Sequence, residues 1–382
     1  QHDILMLGVY QILFLDRIPA RAAVNESVAL CRKCGMSRAS GLANAVLRRI
    51  AENKSAGTLP DIPSEGGAEY LSIKYSHPEW LASRIISERG YDFAEAFLAC
   101  NNRPAPLTIQ VNTLKISPED YRRALLRAGM DFEYDERLSG CFVLSGGNVA
   151  ELPGFAEGLF YVQDRAARTA AEIAAPEQGM TVLDACSAPG GKSFAAAIRM
   201  QGKGNILSCD IHEKKLKLIS AGAERLGIDI IKTAVMDARR RDAALENSFD
   251  VVIADVPCSG LGVIAKKPEI RGKTEAEISA LPAIQRDILD NLSAYVKRDG
   301  VLLYSTCTVL RAENEDVVNA FLADDGEFAP EGFNVGGVSE NDEEGYTIHA
   351  PDGAGIGACG AGRAKIQGRP DIQVALGGRT GF

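Results

Sequence analysis

Residues 182–193, VLDACSAPGGKS, constrain the fold of this chain more than any other stretch. The apolar pair Val182 and Leu183 runs to an acidic residue, Asp184, and the small residues of 186–191 lead into a helix predicted to begin near Lys192. A buried strand that ends in a carboxylate and a glycine turn lets backbone approach a ligand closely. The first amides of the next helix favour a polar or anionic group there. Alone, the pattern suits a nucleotide-type ligand and an ordinary tight connection equally well.

Beyond the turn, strand and helix signals alternate as a doubly wound sheet requires, with strands predicted at 205–209, 230–234, 251–254 and 301–304. Ligands of such sheets gather beyond the carboxyl ends of the strands. The polar residues at those ends therefore belong together: 184–192, Asp210, Asp237, 255–260 and 305–308.

Upstream, Leu5, Val9, Ile12 and Leu13 recur at helical spacing, and 25–34 and 41–52 read as two more helices. Residues 1–60 thus form a helical module that starts inside a helix pattern without a methionine, which points to further chain before it. A Pro/Gly/Ser-rich link at 57–67 follows, then helices at 69–75, 78–89 and 93–101. From Leu107 the pattern changes to LTIQVNTL, a helix at 118–128 and short strands near 142–144 and 159–162, a small α+β piece. An Ala-rich helix at 164–174 leads into the central strand. The expected segmentation is a helical domain over 1–60, a helical linker with the α+β subdomain over 61–160, the doubly wound domain over 161–350 and a Gly-rich tail over 351–382.

The apolar stretch 4–15 contains Gln11 and is too short for a bilayer, and no basic segment precedes it, so a cytoplasmic protein without a membrane partner is expected. Nine cysteines without regular spacing read as reduced thiols, and the lone pair Cys31 and Cys34 as two residues of a helix. His2, His77, His212 and His349 are too scattered to hold a metal. The net charge of −9 is unevenly placed: residues 311–345 carry eleven acidic side chains and one basic, whereas residues 1–60 carry eight Lys/Arg against four Asp/Glu. Further basic clusters at 239–241 and 266–273 leave nucleic acid as a permitted partner.

Asp210 lies about twenty residues past the glycine turn, where a carboxylate accepts hydrogen bonds from ribose hydroxyls. The turn lacks the spaced GxGxxG of a dinucleotide site and contains Pro189, which favours a smaller nucleoside cofactor, S-adenosylmethionine. Asp237 would reach the adenine edge or cap a helix. Two cysteines end adjacent strands, Cys258 in DVPCSGLGV and Cys307 in YSTCT. Carbon 5 of a pyrimidine is a poor nucleophile, and thiolate addition at carbon 6 makes it an enamine able to take an electrophilic methyl group. Asp255 would hold the cytosine edge. Residue chemistry leaves open which cysteine attacks.

DACSAPGGKS, DVPCSGLGV and YSTCT, in this order, resemble the signature blocks of the RNA cytosine-C5 methyltransferases. KYSHPEWL and YQILFLDRIPARAAVNESV resemble the bacterial Sun-like (RsmB-type) branch, which has a NusB-like N-terminal domain and modifies small-subunit ribosomal RNA. The resemblance spans residues 1–350. It implies an α/β class I (Rossmann-like) methyltransferase sheet with an all-α NusB-like domain and a small α+β insertion, acting as a monomer on ribosomal RNA. It implies Cys307 as nucleophile, Cys258 as the residue that helps release product, and Asp255 as the catalytic carboxylate. Cys186, Ser187, Ala188, Pro189, Gly190, Gly191, Lys192, Asp210, Asp237 and Asp255 would surround S-adenosylmethionine, and Arg271, Lys266 and Lys267 would face RNA.

The chain departs from the family pattern in two places. Gln110 stands where an arginine is expected to meet RNA. The tail after GYTIHAPDG has nine glycines in its last 32 residues and no strong strand pattern, so the last strand of the sheet is expected to be missing or poorly formed, leaving an edge unprotected. Competing readings are a DNA or small-molecule methyltransferase, which would use Cys258 as nucleophile, and a non-catalytic RNA-binding protein that keeps the fold. The first leaves the helical N-terminal module without a purpose, and retention of Cys258, Cys307 and Asp255 together argues against the second.

Overall fold

In the computed structural model, residues 1–60, 66–325, 327–330, 334–335, 338–339 and 360–366 are described, in two units, Gln1–Gly66 and Gly67–Phe382. In the first unit, α1 (His2–Phe14), α2 (Ala20–Lys33) and α3 (Ser40–Ala56) pack as a three-helix bundle. Ile4, Gly8 and Ile12 form the buried stripe of α1, and a side chain at Gly8 would press within 2.7 Å of Leu47 and Ser27. The α1 stop is reinforced by Lys54, whose Nζ donates to the carbonyls of Ile12 and Leu13, a cation on the negative end of the helix dipole. Cys31 is buried on α2, and Cys34 is its exposed C-terminal cap.

The second unit begins with α4 (Ala68–Tyr75), α5 (Glu79–Arg89) and α6 (Tyr91–Cys100). A small antiparallel sheet follows, in the order β2-β3-β1-β4: β1 (Leu107–Val111), β2 (Phe132–Tyr134), β3 (Cys141–Leu144) and β4 (Phe160–Val162), with α7 (Pro118–Arg127) between the first two. Tyr121 of α7 is buried against Phe142 and Phe160. Gln110 is buried on β1, where its Nε2 donates to the Gln163 carbonyl and the Cys141 sulfur. The glutamine thus faces the protein interior.

The main sheet is built from β5 (Thr181–Asp184), β6 (Asn205–Asp210), β7 (Ile231–Val235), β8 (Phe249–Asp255) and β9 (Val296–Thr306), all parallel. Helices α8 (Arg165–Ala174), α9 (Gly191–Arg199), α10 (Glu213–Leu226), α11 (Glu275–Ile278), α12 (Leu281–Ser293) and α13 (Glu315–Asp324) accompany it. Alternate strand residues serve opposite faces. Val182, Val251, Ile253 and Leu303 join the core under α8, α9 and α10, whereas Leu183, Val252, Ala254 and Leu302 join the one under α12 and α13. Both faces are covered, as the near-continuous apolar strand sequences require.

The expected loss of the last strand is overturned. Strand β13 (Gly360–Ile366) pairs antiparallel with β9 from Gly360↔Thr306 to Lys365↔Val301, and with β10 (Phe328–Pro330) on its other side. The sheet order is therefore β10-β13-β9-β8-β5-β6-β7, beside a separate β11 (Asn334–Val335) and β12 (Val338–Ser339) pair. A ladder is made by main-chain amides and carbonyls, which glycine and alanine supply like any other residue, so weak side-chain patterning does not forbid a strand. The rest of the tail, 351–359 and 367–382, lies outside the described residues, as does His349. No helix among the described residues is long and apolar enough to cross a membrane.

Candidate active site

Strand β5 delivers Asp184 fully buried at its carboxyl end. Its Oδ2 accepts a hydrogen bond from Ser193 at 2.7 Å, and Ser193 is in turn 2.7 Å from Ser208 on β6. The first turn of α9 is thereby pinned to two strands. Burial raises the Asp184 pKa from 3.8 to about 7, against the opposing hydrogen bond from Ser193. The native state then holds this proton to higher pH than the unfolded chain, so stability falls as pH rises from about 4 to about 7. Asp184→Asn keeps the acceptor for Ser193 and removes the titration. The urea stability of Asp184→Asn relative to wild type is expected to grow between pH 4 and pH 8 by up to about 4 kcal/mol; parallel pH profiles would sink this account.

The turn itself is tied to β6, since both the amide and the hydroxyl of Ser187 donate to the Cys209 carbonyl, at 2.8 and 2.9 Å. Gly190 adopts φ +111°, and a Cβ there would lie 2.6 Å from the Phe194 ring. Only glycine fits both demands. At Gly191 an added Cβ would meet the Gln163 side chain at 3.1 Å.

A cavity of about 330 Å³ opens beyond the ends of β5, β6 and β8. Of the residues expected around the cofactor, Cys186, Ala188, Asp210, Asp237 and Asp255 line it. Ser187, Pro189, Gly190, Gly191 and Lys192, also expected there, are not among its lining residues. The Asp210 carboxylate is buried and accepts from the His212 amide at 2.8 Å. Asp237 is gripped by Arg239, with Nε to Oδ1 at 3.0 Å and Nη2 to Oδ2 at 2.9 Å, which holds its carboxyl below the usual range. Sequence reading missed the apolar wall, Ile211 and Met236 beyond β6 and β7 and Ile284 and Ile288 of α12. His212 lines the cavity as well. Only periodicity on α12 could have pointed to the last two, because an isoleucine facing a ligand and one facing the core read alike.

Asp255 ends β8 beside this cavity. Its Oδ2 pairs with Lys192 Nζ at 2.7 Å, and its Oδ1 accepts from Ser305 of β9 at 2.7 Å. Just past it, Cys258 Sγ lies 3.1 Å from Cys307 Sγ, so the register of β8 with β9 brings the two strand-end cysteines into contact. The pair is asymmetric. A hydrogen bond from Cys258 lowers the Cys307 thiol from its usual 9.0, helped by the Lys192 and Lys267 charges and opposed by burial and Asp255. The same contact, burial and the Cys307 and Glu313 charges push Cys258 well up. These directions favour the thiolate at Cys307, although the contact itself lets either sulfur donate and the Cys307 amide donates to Cys258 Sγ at 3.2 Å.

The three residues expected to face RNA lie on the segment after these loops. Lys266 forms an ion pair with Asp164, and Lys267 contributes its charge to Cys307. Arg271 Nη2 donates to the Asn101 carbonyl at 3.0 Å and to Asn102 Oδ1 at 2.6 Å, with Nη1 3.4 Å from the Ser76 carbonyl. Its guanidinium ties residues 268–272 to the ends of α4 and α6. Leu261, Ile264 and Ile270 are buried there with Leu81, Ile85 and Phe97, so the chain after Cys258 is anchored on a packed helical base.

Residues 171–349 match the family model described as 16S rRNA methyltransferase RsmB/F, residues 1–52 match the NusB family, and residues 77–150 match the ferredoxin-like domain of the RsmF/B-like methyltransferases. The chain is 35% identical over 335 residues to the probable ribosomal RNA small subunit methyltransferase B of Bacillus subtilis (strain 168), covering 86% of this chain and 73% of that relative. Among solved structures, PH0851 superposes with a TM-score of 0.76 at 28% identity, over 94% of this chain and 80% of its own. NSun6 from Pyrococcus horikoshii with SFG gives a TM-score of 0.66 at 20% identity, over 75% and 98%, a likeness of fold.

Proposed function

Since the chain belongs to the 16S rRNA methyltransferase RsmB/F family, we propose that it methylates carbon 5 of a cytosine in small-subunit ribosomal RNA, using S-adenosylmethionine and a covalent adduct on Cys307. The observation that carries this reading is the contact of two strand-end sulfurs, 3.1 Å apart, beside a carboxylate that also lines the nucleoside-sized cavity.

The cavity fits S-adenosylmethionine by its donor set. Asp210 offers a carboxylate to ribose hydroxyls, Ile211 and Met236 offer apolar surface to a purine, and the glycine turn admits close backbone approach. When bound, the cofactor supplies the electrophilic methyl group that carbon 5 takes. Cys307 attacks carbon 6 as a thiolate, and the electron pair of the 5,6 double bond moves to carbon 5. Asp255, held by Lys192 and Ser305, accepts a hydrogen bond from the cytosine amino group as a carboxylate, and in its protonated form it donates to N3, which draws density away from carbon 6 as the thiolate adds. After transfer, the carbon 5 proton passes to water, its electron pair restores the double bond, and the Cys307 thiolate leaves into the hydrogen bond of Cys258. An unpaired cytosine in a loop costs least to bring into such a site. Lys266 and Lys267 flank the cysteine side of the site, and we place RNA backbone there, with Arg271 holding the segment they stand on.

The test is methylation of unmodified 16S ribosomal RNA with labelled S-adenosylmethionine. The expected product is 5-methylcytosine, mapped by bisulfite protection. Label on an exocyclic nitrogen or a ribose oxygen instead would overturn the reading.

A further inference from the structure

Sequence reading assigns nothing to Glu313, yet it is 1% exposed and stands between the two cysteine loops. It follows the Cys307 loop, and its Oε2 reaches back to accept from the Ser259 amide at 2.8 Å and from Gln285 Nε2 at 2.9 Å. The same Gln285 nitrogen donates to the Pro257 carbonyl at 3.0 Å. Both chain neighbours of Cys258 are therefore fixed by one carboxylate and one amide. Ser259 also donates its hydroxyl to Thr308 at 2.7 Å, and Gly262 donates its amide to the Cys307 carbonyl at 2.9 Å. The other Glu313 oxygen is buried without a hydrogen-bond partner among the described residues. A buried carboxylate with one such oxygen is costly to fold, and packing alone would be served by glutamine.

We propose that Glu313 is the positioning residue for Cys258: with Gln285 it fixes the release-assisting thiol against Cys307 and keeps a negative charge beside it. The assignment rests on the cysteine roles given above. In the release step the carbon 5 proton goes to water, the 5,6 double bond re-forms, and the carbon–sulfur pair goes to Cys307, which accepts a hydrogen bond from the Cys258 thiol. Only a protonated, correctly placed Cys258 can donate that bond. The charged and titratable groups near Cys258 are Cys307, Glu313 and Tyr304, with Lys273 on the Ser259 carbonyl at 2.6 Å and Lys192, Asp255 and Lys267 on the Cys307 side. Of these, Glu313 is the carboxylate that also holds a chain neighbour of Cys258, through the Ser259 amide.

Two variants separate charge from geometry. Glu313→Gln is isosteric, retains an acceptor for Ser259 and Gln285, and removes the charge; Glu313→Ala removes both. In a Cys307→Ala background without RNA, iodoacetamide labelling of Cys258 is followed against pH. Glu313→Gln is expected to move that labelling profile to lower pH and to speed labelling at pH 7.5 several-fold, a change that a merely structural role would not cause. With Cys307 intact and 16S ribosomal RNA present, Glu313→Ala is expected to accumulate a covalent protein–RNA adduct. An unshifted labelling profile in Glu313→Gln overturns the proposal, as does wild-type product release in Glu313→Ala. Wild-type protein that forms no 5-methylcytosine would instead overturn the reading of the reaction, and the labelling experiment, which needs no RNA, still decides the role of Glu313.

Discussion

Replacement of Cys307 by alanine is expected to lower methyl transfer to 16S ribosomal RNA by at least about a thousand-fold, the scale of losing a covalent nucleophile, and to leave no protein–RNA adduct. The expectation follows from the asymmetry of the pair. Both sulfurs are within reach of one substrate, but the hydrogen bond from Cys258 and the charges of Lys192 and Lys267 favour the thiolate at Cys307. Cofactor affinity, measured by calorimetry, is expected to be unchanged, because the cavity is walled by Cys186, Ala188, Asp210, Asp237 and Asp255. The deprotonated sulfur attacks, so in the wild type the rate of adduct formation should rise with pH and level off below 9.0, the ordinary thiol value. Full activity in Cys307→Ala, or a rate that is still climbing above pH 9.0, would remove Cys307 from the role.

The parts of this site that are legible in the sequence are those where position along a strand dictates place. Asp184, Asp210 and Asp255 each end a parallel strand of the main sheet and Cys307 directly follows another, and parallel strands bring their carboxyl ends to one edge, so four separate blocks of sequence converge without any knowledge of distances. What stays hidden depends on side chains meeting across the fold. Nothing in DVPCSGLGV or YSTCT says which sulfur is favoured as the thiolate, because that depends on the contact of the two sulfurs and on Lys192 of α9 and Lys267 beyond β8 approaching Cys307. Glu313 sits in the acidic stretch 311–345 without a pattern to single it out, and its partner Gln285 of α12 arrives from the other side. Arg271 is expected to face RNA, and nothing in KKPEIR shows that the turn after α4 and the end of α6 supply acceptors for its guanidinium. The last strand is hidden for a different reason: GAGRAK has little side-chain preference of its own, and its place beside β9 is settled by backbone pairing.

Cys258→Ala is expected to behave in the opposite way to Cys307→Ala, with methylation stopping after a single round and the enzyme trapped on RNA as a band of raised mass on a denaturing gel. Loss of the Cys258 donor raises the Cys307 thiol, so the adduct should form more slowly at neutral pH than in the wild type and faster as pH rises. Once formed it should persist, because the departing Cys307 sulfur no longer receives the hydrogen bond that made it a good leaving group. The trapped cytosine should already carry the methyl group, since carbon 5 becomes nucleophilic on thiolate addition and Cys258 is not needed for that. The two outcomes also separate the competing assignments. If Cys258 were the nucleophile, its alanine variant would form no adduct at any pH and Cys307→Ala would be the one to trap RNA. If neither variant traps RNA while both still methylate it, the sulfur contact is only a packing feature and the covalent route is wrong. The geometry favours the first outcome because one interaction, the Cys258 thiol on the Cys307 sulfur, serves both halves of the reaction: it stabilises the thiolate before attack and again when the bond to carbon 6 breaks.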